Sequence, residues 1–232
     1  LFFFGLAHKE FQSETHDKDC EGEDTMAENQ EMLEAPVFTG GERTREEILS
    51  AAHEMLKETG FRGFTVAALM ERASVSRPAF YQYFASRYDV VAETVRRISG
   101  ALDEITTTWL EDPDAGKDEL LGGLTGIAET IAADGMLYRG LIDASAADPQ
   151  VEQAWRHGLI AGYCNRTQVK IRSGQEAKLI PGHLDAELTA LAMVLMTERV
   201  YYDRLASDKP DDPRRVAKAV CDVWSATLYR SE

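Results

Sequence analysis

Cysteine is scarce in this sequence. The three present, Cys20, Cys164 and Cys221, stand far apart with no CxxC or Cys/His ligand spacing, so neither a disulfide framework nor a zinc site is expected, and a reducing cytoplasm fits. No apolar run is long enough to span a bilayer. The opening LFFFGLAHKEF is short, has no basic region before it and leads into the charged HDKDCEGED with no small-residue cleavage site, so no membrane or signal segment is expected. Strand-like alternation, hairpin turns and internal repeats are also lacking. So are GxSxG, HExxH, P-loop and GxGxxG patterns, and GGLTG at 122–126 lies in a helix-like region and matches none of them. Neither enzyme chemistry, a metal nor a cofactor is expected. Basic residues are outnumbered, 25 Lys and Arg against 40 Asp and Glu, and the net charge of −15 argues at first against a polyanionic partner.

What is present qualifies that last exclusion. With 232 residues, 44% of them apolar, the chain can bury a sizeable core. Its charge is uneven. Residues 1–42 hold 2 Lys against 11 acids, residues 43–97 hold 9 Arg or Lys against 7 acids, and the rest is again acidic, so a mildly basic segment sits between two acidic ones. Residues 1–42 show no sustained period and close with PVFTGGE, so they are expected to form a disordered tail.

From Thr44 onward the pattern is helical. TREE places Thr44 as N-cap with Glu47 three residues later, and Ile48, Ala51, Ala52, Met55 and Leu56 form one apolar stripe that stops at Gly60. Thr65 can cap a second, shorter helix, and ASVS makes a tight turn. Ser76 caps a third helix with Pro78 in its first turn, where the missing N–H is harmless. A fourth helix is expected from about Ser86 to about Leu110, long enough to join two compact units. Further helices are expected near 116–133, 135–147, 149–173, 184–206 and 213–230, with Asp-Pro pairs as punctuation.

The second helix, a four-residue turn and the capped third helix have the spacing of a helix-turn-helix, whose last element enters the major groove by its N-terminal end. In SVSRPAFYQYFASRYDVV, Phe80 and Phe84 are four apart and can face inward, which leaves Arg77, Pro78, Tyr81 and Gln82 on the opposite side. Arg77 can offer two donors to guanine, Gln82 can pair with adenine, and Pro78 or Ala79 can touch a thymine methyl. The hydroxyls of Tyr81 and Tyr83 can reach phosphates, and Thr65 and Arg87, at neighbouring helix starts, add phosphate donors.

On these residues the stretch 44–91 resembles the DNA-binding head of the tetracycline-repressor (TetR) family. SVSRPAFYQYFASRYDVV matches over its whole length, and TREEILSAAHEMLKETGFRGFTVAALMERA matches the two helices before it. The resemblance implies DNA contacts at Arg77, Pro78, Ala79, Tyr81, Gln82 and Tyr83, with Thr65 and Arg87 on phosphates. Ser74 stands where a turn glycine is common, at a cost of about 1 kcal/mol should its φ be positive. Ala79 replaces a frequent Ser or Thr, and Tyr88 stands where an acid is usual.

The stretches LTALAMVLMTERVYYDRLAS and VAKAVCDVWSATLYR resemble the last two long helices of the family's ethionamide-regulator (EthR-like) branch. That implies a homodimer formed through these helices and an elongated apolar cavity for a small, largely apolar effector. Trp155, Tyr163, Met193, Met196, Thr197, Tyr201 and Trp224 combine large apolar faces with a few polar handles and suit such a lining, although aromatics and methionines at this spacing also fill cores. Glu198 and Arg199, in an apolar helix, are expected to form structural pairs.

The chain is therefore expected to be all-α. Residues 1–42 form the tail, 43–91 a three-helix helix-turn-helix head, and 92–232 a larger helical ligand-binding and dimerisation domain joined to the head by a long helix. Its expected function is a cytoplasmic, nucleoid-associated repressor that binds double-stranded palindromic operator DNA as a homodimer and is released by its effector. An activator built on the same head, a helical protein-binding module and an enzyme using the helical cavity are the alternatives.

Overall fold

A computed structural model describes residues 40–229, and the expected acidic tail lies outside the described residues except for its last three positions. The described chain is all-helical, with ten α-helices. The first four are α1 Gly40–Thr59, α2 Val66–Arg72, α3 Arg77–Tyr83 and α4 Arg87–Glu111. They are followed by α5 Lys117–Ala133, α6 Gly135–Ala147 and α7 Pro149–Glu152. A π-helical segment, Gln153–Ile160, carries α7 without a break into α8 Ala161–Glu176, and α9 Ala186–Leu205 and α10 Pro213–Leu228 close the fold.

Helix α1 begins four residues before the expected start. Thr44 does not cap it: its hydroxyl donates to the Gly40 carbonyl at 3.2 Å, the back-bond of a threonine already inside a helix. Residues 40–42 thus belong to α1, which moves the edge of the expected tail. The stripe Ile48, Ala51, Ala52, Met55 and Leu56 is buried, and the helix stops at Gly60, whose φ of 61° suits a residue without Cβ.

The next three starts follow the sequence signals. Thr65 accepts from the Ala68 amide at 3.2 Å, and Ser76 accepts from the Ala79 amide at 3.4 Å. Ser86 accepts from the Asp89 amide while Asp89 accepts from the Ser86 amide, a reciprocal cap on α4. Between α2 and α3, Ser74 adopts a φ of 54°. The turn holds it there through a hydrogen bond from the Val75 N–H to the Met70 carbonyl at 3.0 Å.

Asp148, Asp185 and Asp212 cap α7, α9 and α10. GGLTG also finds its purpose: a Cβ on Gly126 would stand 2.5 Å from the Ile105 side chain, so a small residue lets α5 approach α4. At the other end, α1 packs against α6. There Lys57 pairs with Asp134 at 2.5 Å and His53 lies 3.5 Å from the same carboxylate. These two side chains hold the Asp134 carboxyl below its ordinary range.

Because left-handed backbone is strained for serine, Ser74→Gly is expected to stabilise the fold by up to about 1 kcal/mol, read as a rise in Tm of about 2–4 °C by thermal denaturation. An unchanged or lowered Tm would show that the turn carries no strain.

Candidate nucleic-acid interface and apolar cavity

Seven residues of α3 divide cleanly. Phe80 is fully buried, and Phe84, which closes the helix, is buried beside it with ring centroids 6.0 Å apart. Arg77, Pro78, Tyr81 and Gln82 are exposed, while Ala79 and Tyr83 are half-buried. Tyr81 meets the Phe80 ring edge to face at 5.2 Å, and the Arg77 guanidinium lies 5.4 Å over the Tyr81 ring. The buried ring thus orients the exposed one, and the exposed ring orients the cation. Thr65 is exposed; its oxygen is used as the cap of α2, which leaves its O–H free to donate outward.

Arg87 differs from expectation. It is half-buried, donating to the Phe64 carbonyl at 2.8 Å and the Tyr88 hydroxyl at 3.2 Å, with its guanidinium 4.5 Å from the Phe61 ring centroid. Phe61 and Phe64 belong to the α1–α2 turn, so this side chain first ties α4 to the helix-turn-helix. The Tyr88 that departs from the family pattern is one of the groups receiving it.

Charge sharpens the picture. Arg43, Arg45, Lys57, Arg72, Arg96 and Arg97 each have a carboxylate partner within the described structure. Of the nine basic residues of 43–97, those with no ion pair among the described residues are Arg62, Arg77 and Arg87. They stand before α2, at the start of α3 and at the start of α4; phosphate contacts were expected at the α2 and α4 starts, through Thr65 and Arg87, and a base contact from Arg77 at the α3 start.

The second feature is a cavity of about 110 Å³ lined by α4, α5, α6, the π segment and α8–α10. Helix α4 contributes Leu102, Thr106, Trp109 and Leu110, and α5 contributes Leu120, Gly123, Leu124, Ile127 and Ile131. Tyr138 and Ile142 face it from α6, and Trp155, Leu159 and Ile160 from the π segment. Such segments recur at functional sites. Tyr163 and Thr167 come from α8, Trp224 from α10, and Val194, Thr197, Glu198, Tyr201 and Tyr202 from α9.

Most polar atoms of the lining are internally bound. The Trp224 indole donates to Thr197 Oγ1 at 3.0 Å, and the Thr197 hydroxyl donates to the Met193 carbonyl at 2.9 Å. Tyr201 donates to the Leu124 carbonyl at 2.9 Å, and Thr106 donates to Tyr163 at 3.4 Å. Burial pushes the Tyr163 phenol up to about 12 and raises Tyr138 and Tyr201 as well, so all three are neutral.

Five of the seven expected cavity residues, Trp155, Tyr163, Thr197, Tyr201 and Trp224, thus meet on one wall system. Met193 and Met196 do not. On α9 the cavity face runs through 194, 197, 198 and 201; at about 100° per residue, Met193 falls roughly 90° and Met196 roughly 150° away. Met193 is buried in the core and Met196 half-buried against it.

Of the structural pairs expected of Glu198 and Arg199, Arg199 forms one, with Asp203 at 2.8 Å, while Glu198 lines the cavity. Sequence reasoning also passed over Trp109 and Tyr138. The spacing of Leu102, Thr106 and Trp109 at i, i+4 and i+7 marks a shared face, but it does not say whether that face meets side chains or space.

Two family descriptions match the chain: "Bacterial regulatory proteins, tetR family" over residues 48–94 and "Transcriptional regulator EthR, C-terminal domain" over residues 121–230. The HTH-type transcriptional regulator EthR of Mycobacterium tuberculosis is 26% identical over 185 residues, which cover 78% of this chain and 85% of the relative. Among solved structures, a TetR-family regulator from Rhodococcus sp. superposes with a TM-score of 0.66 at 18% identity, covering 81% of this chain and 99% of its own. A SmeT–triclosan complex does so with a TM-score of 0.66 at 18% identity, covering 82% and 93%. The relatives are transcriptional regulators and not enzymes. No helix of the described residues is long and apolar enough to cross a membrane.

Replacing Thr197 by Val keeps the shape of the α9 wall but strands the buried Trp224 N–H. Thr197→Val is expected to cost about 1–3 kcal/mol in denaturant unfolding, and an unfolding free energy equal to that of the parent would mean that the indole finds another acceptor.

Proposed function

We propose, on the premise that this chain belongs to the tetR family of bacterial regulatory proteins, that it is a ligand-responsive transcriptional repressor acting at the nucleoid. It binds a palindromic operator as a homodimer and is released by a small, largely apolar effector. The observation that carries this reading is that α4 serves both features: its first residue follows the exposed α3 with the unpaired Arg77, and its C-terminal half lines the apolar cavity.

In this reading residues 43–91 carry DNA binding and residues 92–232 ligand binding and dimerisation. Arg77 reads a guanine, Gln82 an adenine, and Pro78 and Ala79 touch thymine methyls. Tyr81, Tyr83, Thr65 and the remaining N–H groups of Arg87 hold phosphates. The effector contacts Trp155, Tyr163, Thr197, Tyr201 and Trp224. Met193 and Met196 support that wall from behind. The SmeT complex with triclosan supports a small molecule as effector in this fold.

A dimer through α9 and α10 is supported by Leu188, Leu191 and Leu195, exposed at i, i+3 and i+7 on α9, and by exposed Val223 on α10. Such a stripe is costly to leave in water and marks an interface. Two heads about 34–36 Å apart would meet successive major grooves. An effector that prefers the conformation with other head spacing lowers DNA affinity by that preference and no more.

The test is selection of bound sequences from a random DNA pool, and an enriched inverted repeat is expected; no enrichment at low salt would overturn the reading. Arg77→Ala is expected to relax preference at one position per half-site, with a loss of about 1–3 kcal/mol at that base pair. Arg87→Ala should weaken specific and random DNA alike, and it should also lower Tm because it releases the Phe64 carbonyl. Equal loss on all sequences in both variants would refute this division. Leu191→Glu combined with Leu195→Glu is expected to yield monomers in analytical ultracentrifugation and to weaken operator binding through lost bivalency. Persistence of the dimer would move the interface elsewhere.

A further inference from the structure

Glu198 is the one acid or base ordinarily charged at neutral pH in the cavity lining. Its neighbouring cations are committed elsewhere. Arg199 pairs with Asp203 at 2.8 Å and lies 5.2 Å over the Tyr202 ring, and Arg156 pairs with Glu152 at 3.5 Å. The Trp155 side chain lies close enough to Glu198 to favour its ionised form, whereas Asp203 adds a second negative charge nearby. A carboxylate has about four acceptor positions. Here it stands half-buried in an apolar lining with no salt bridge among the described residues, and Arg199 and Arg156 act on it only at longer range, an arrangement that is costly for the ionised form. Burial accordingly pushes the Glu198 carboxyl up, against the lowering by Trp155, Arg199 and Arg156.

We infer that the effector is an apolar molecule ending in a protonated amine, whose ammonium pairs with Glu198 while its body occupies the cavity. The inference rests on the reading of this cavity as the effector site. An ammonium supplies both the missing charge and up to three donors, and Trp155 in the same lining adds an aromatic ring beside it. A carboxylate head group meets like charge and is rejected. A neutral alcohol fits the space without compensating the charge.

Binding of octylamine, 1-octanol and octanoate to the full chain, followed by titration calorimetry and tryptophan fluorescence, separates these cases. Octylamine is expected to bind about tenfold or more tighter than 1-octanol, since hydrogen bonds to charged groups exceed neutral ones by about that margin, with octanoate weakest. Glu198→Gln should bring octylamine to within about twofold of 1-octanol and leave 1-octanol unchanged. The unmutated protein gives a second readout that is free of folding effects. As pH falls through the raised pKa of Glu198 the carboxylate is lost while octylamine stays protonated, so octylamine affinity should drop and 1-octanol affinity should not. Equal affinity for amine and alcohol, or an amine preference that survives Glu198→Gln or acidification, overturns the inference and leaves the cavity as an effector site. Failure of all three probes to bind overturns both.

Discussion

Helix α4 has to serve both ends of a single core with one continuous backbone. Its first turns carry Val90, Val91, Ala92 and Val95, all four buried, on the part of the helix that packs against α1. Its last turns put Thr106, Trp109 and Leu110 on the cavity. At 25 residues and about 1.5 Å per residue it is roughly 37 Å long, and a rigid rod of that length converts a small displacement at one end into a displacement at the other. Each end is anchored separately. The Ser86–Asp89 cap and the Arg87–Phe64 bond hold the start. At the other end the Lys170 ammonium donates to the Asp112 carbonyl at 2.6 Å, just past the last turn. A cation there also suits the negative end of the helix dipole.

A chain with a net charge of −15 can still present a surface for a polyanion, because compensation is local. Most cations of the head are neutralised by nearby carboxylates, several of them on another helix: Arg45 by Glu93, Arg97 by Glu46 and Arg72 by Glu58. Such exposed pairs contribute little to stability, about 0–1 kcal/mol each. Their effect on binding is larger, since they cancel positive charge on the flanks and leave Arg62, Arg77 and Arg87 uncancelled. The specificity of a groove-binding surface is aided by that contrast more than by a high total charge.

The sequence made the head legible because its signals are local. Caps at Thr65, Ser76 and Ser86, the stop at Gly60 and the inward pair Phe80 and Phe84 depend on residues within one turn of each other. Thr44 misled because a capping-box pattern cannot say whether the residues before it continue the helix. The strain at Ser74 was readable only as a conditional, since a φ follows from the turn's hydrogen bonds and not from the residue type. The cavity was half legible. Trp155, Tyr201 and Trp224 are large enough to reach any neighbouring element, whereas Met193, Met196 and Glu198 depend on the rotation of α9 about its axis, which packing decides. Glu198 was passed over because an acid beside an arginine suggests a pair, and the competing partner, Asp203, lies on the next turn.

Coupling between cavity and head is bounded by magnitudes. A ligand that merely fills the existing space binds both head spacings alike and shifts nothing, however tight it is. One that displaces Trp109 acts on α4, and one that displaces Tyr138 acts on α6. Asp134, one turn before Tyr138, holds α6 to Lys57 and His53 of α1. Lys57 is half open to solvent while the Asp134 carboxylate is largely buried, so the contact is worth more than an exposed pair, on the order of 1–3 kcal/mol. It can set the angle at which α1 leaves α6 without locking it. Complete switching needs a difference of about 5.5 kcal/mol between the two states, more than this contact resists. The decisive term is therefore how differently the aromatic wall packs on the ligand in the two conformations, and the α1–α6 contact only needs to yield.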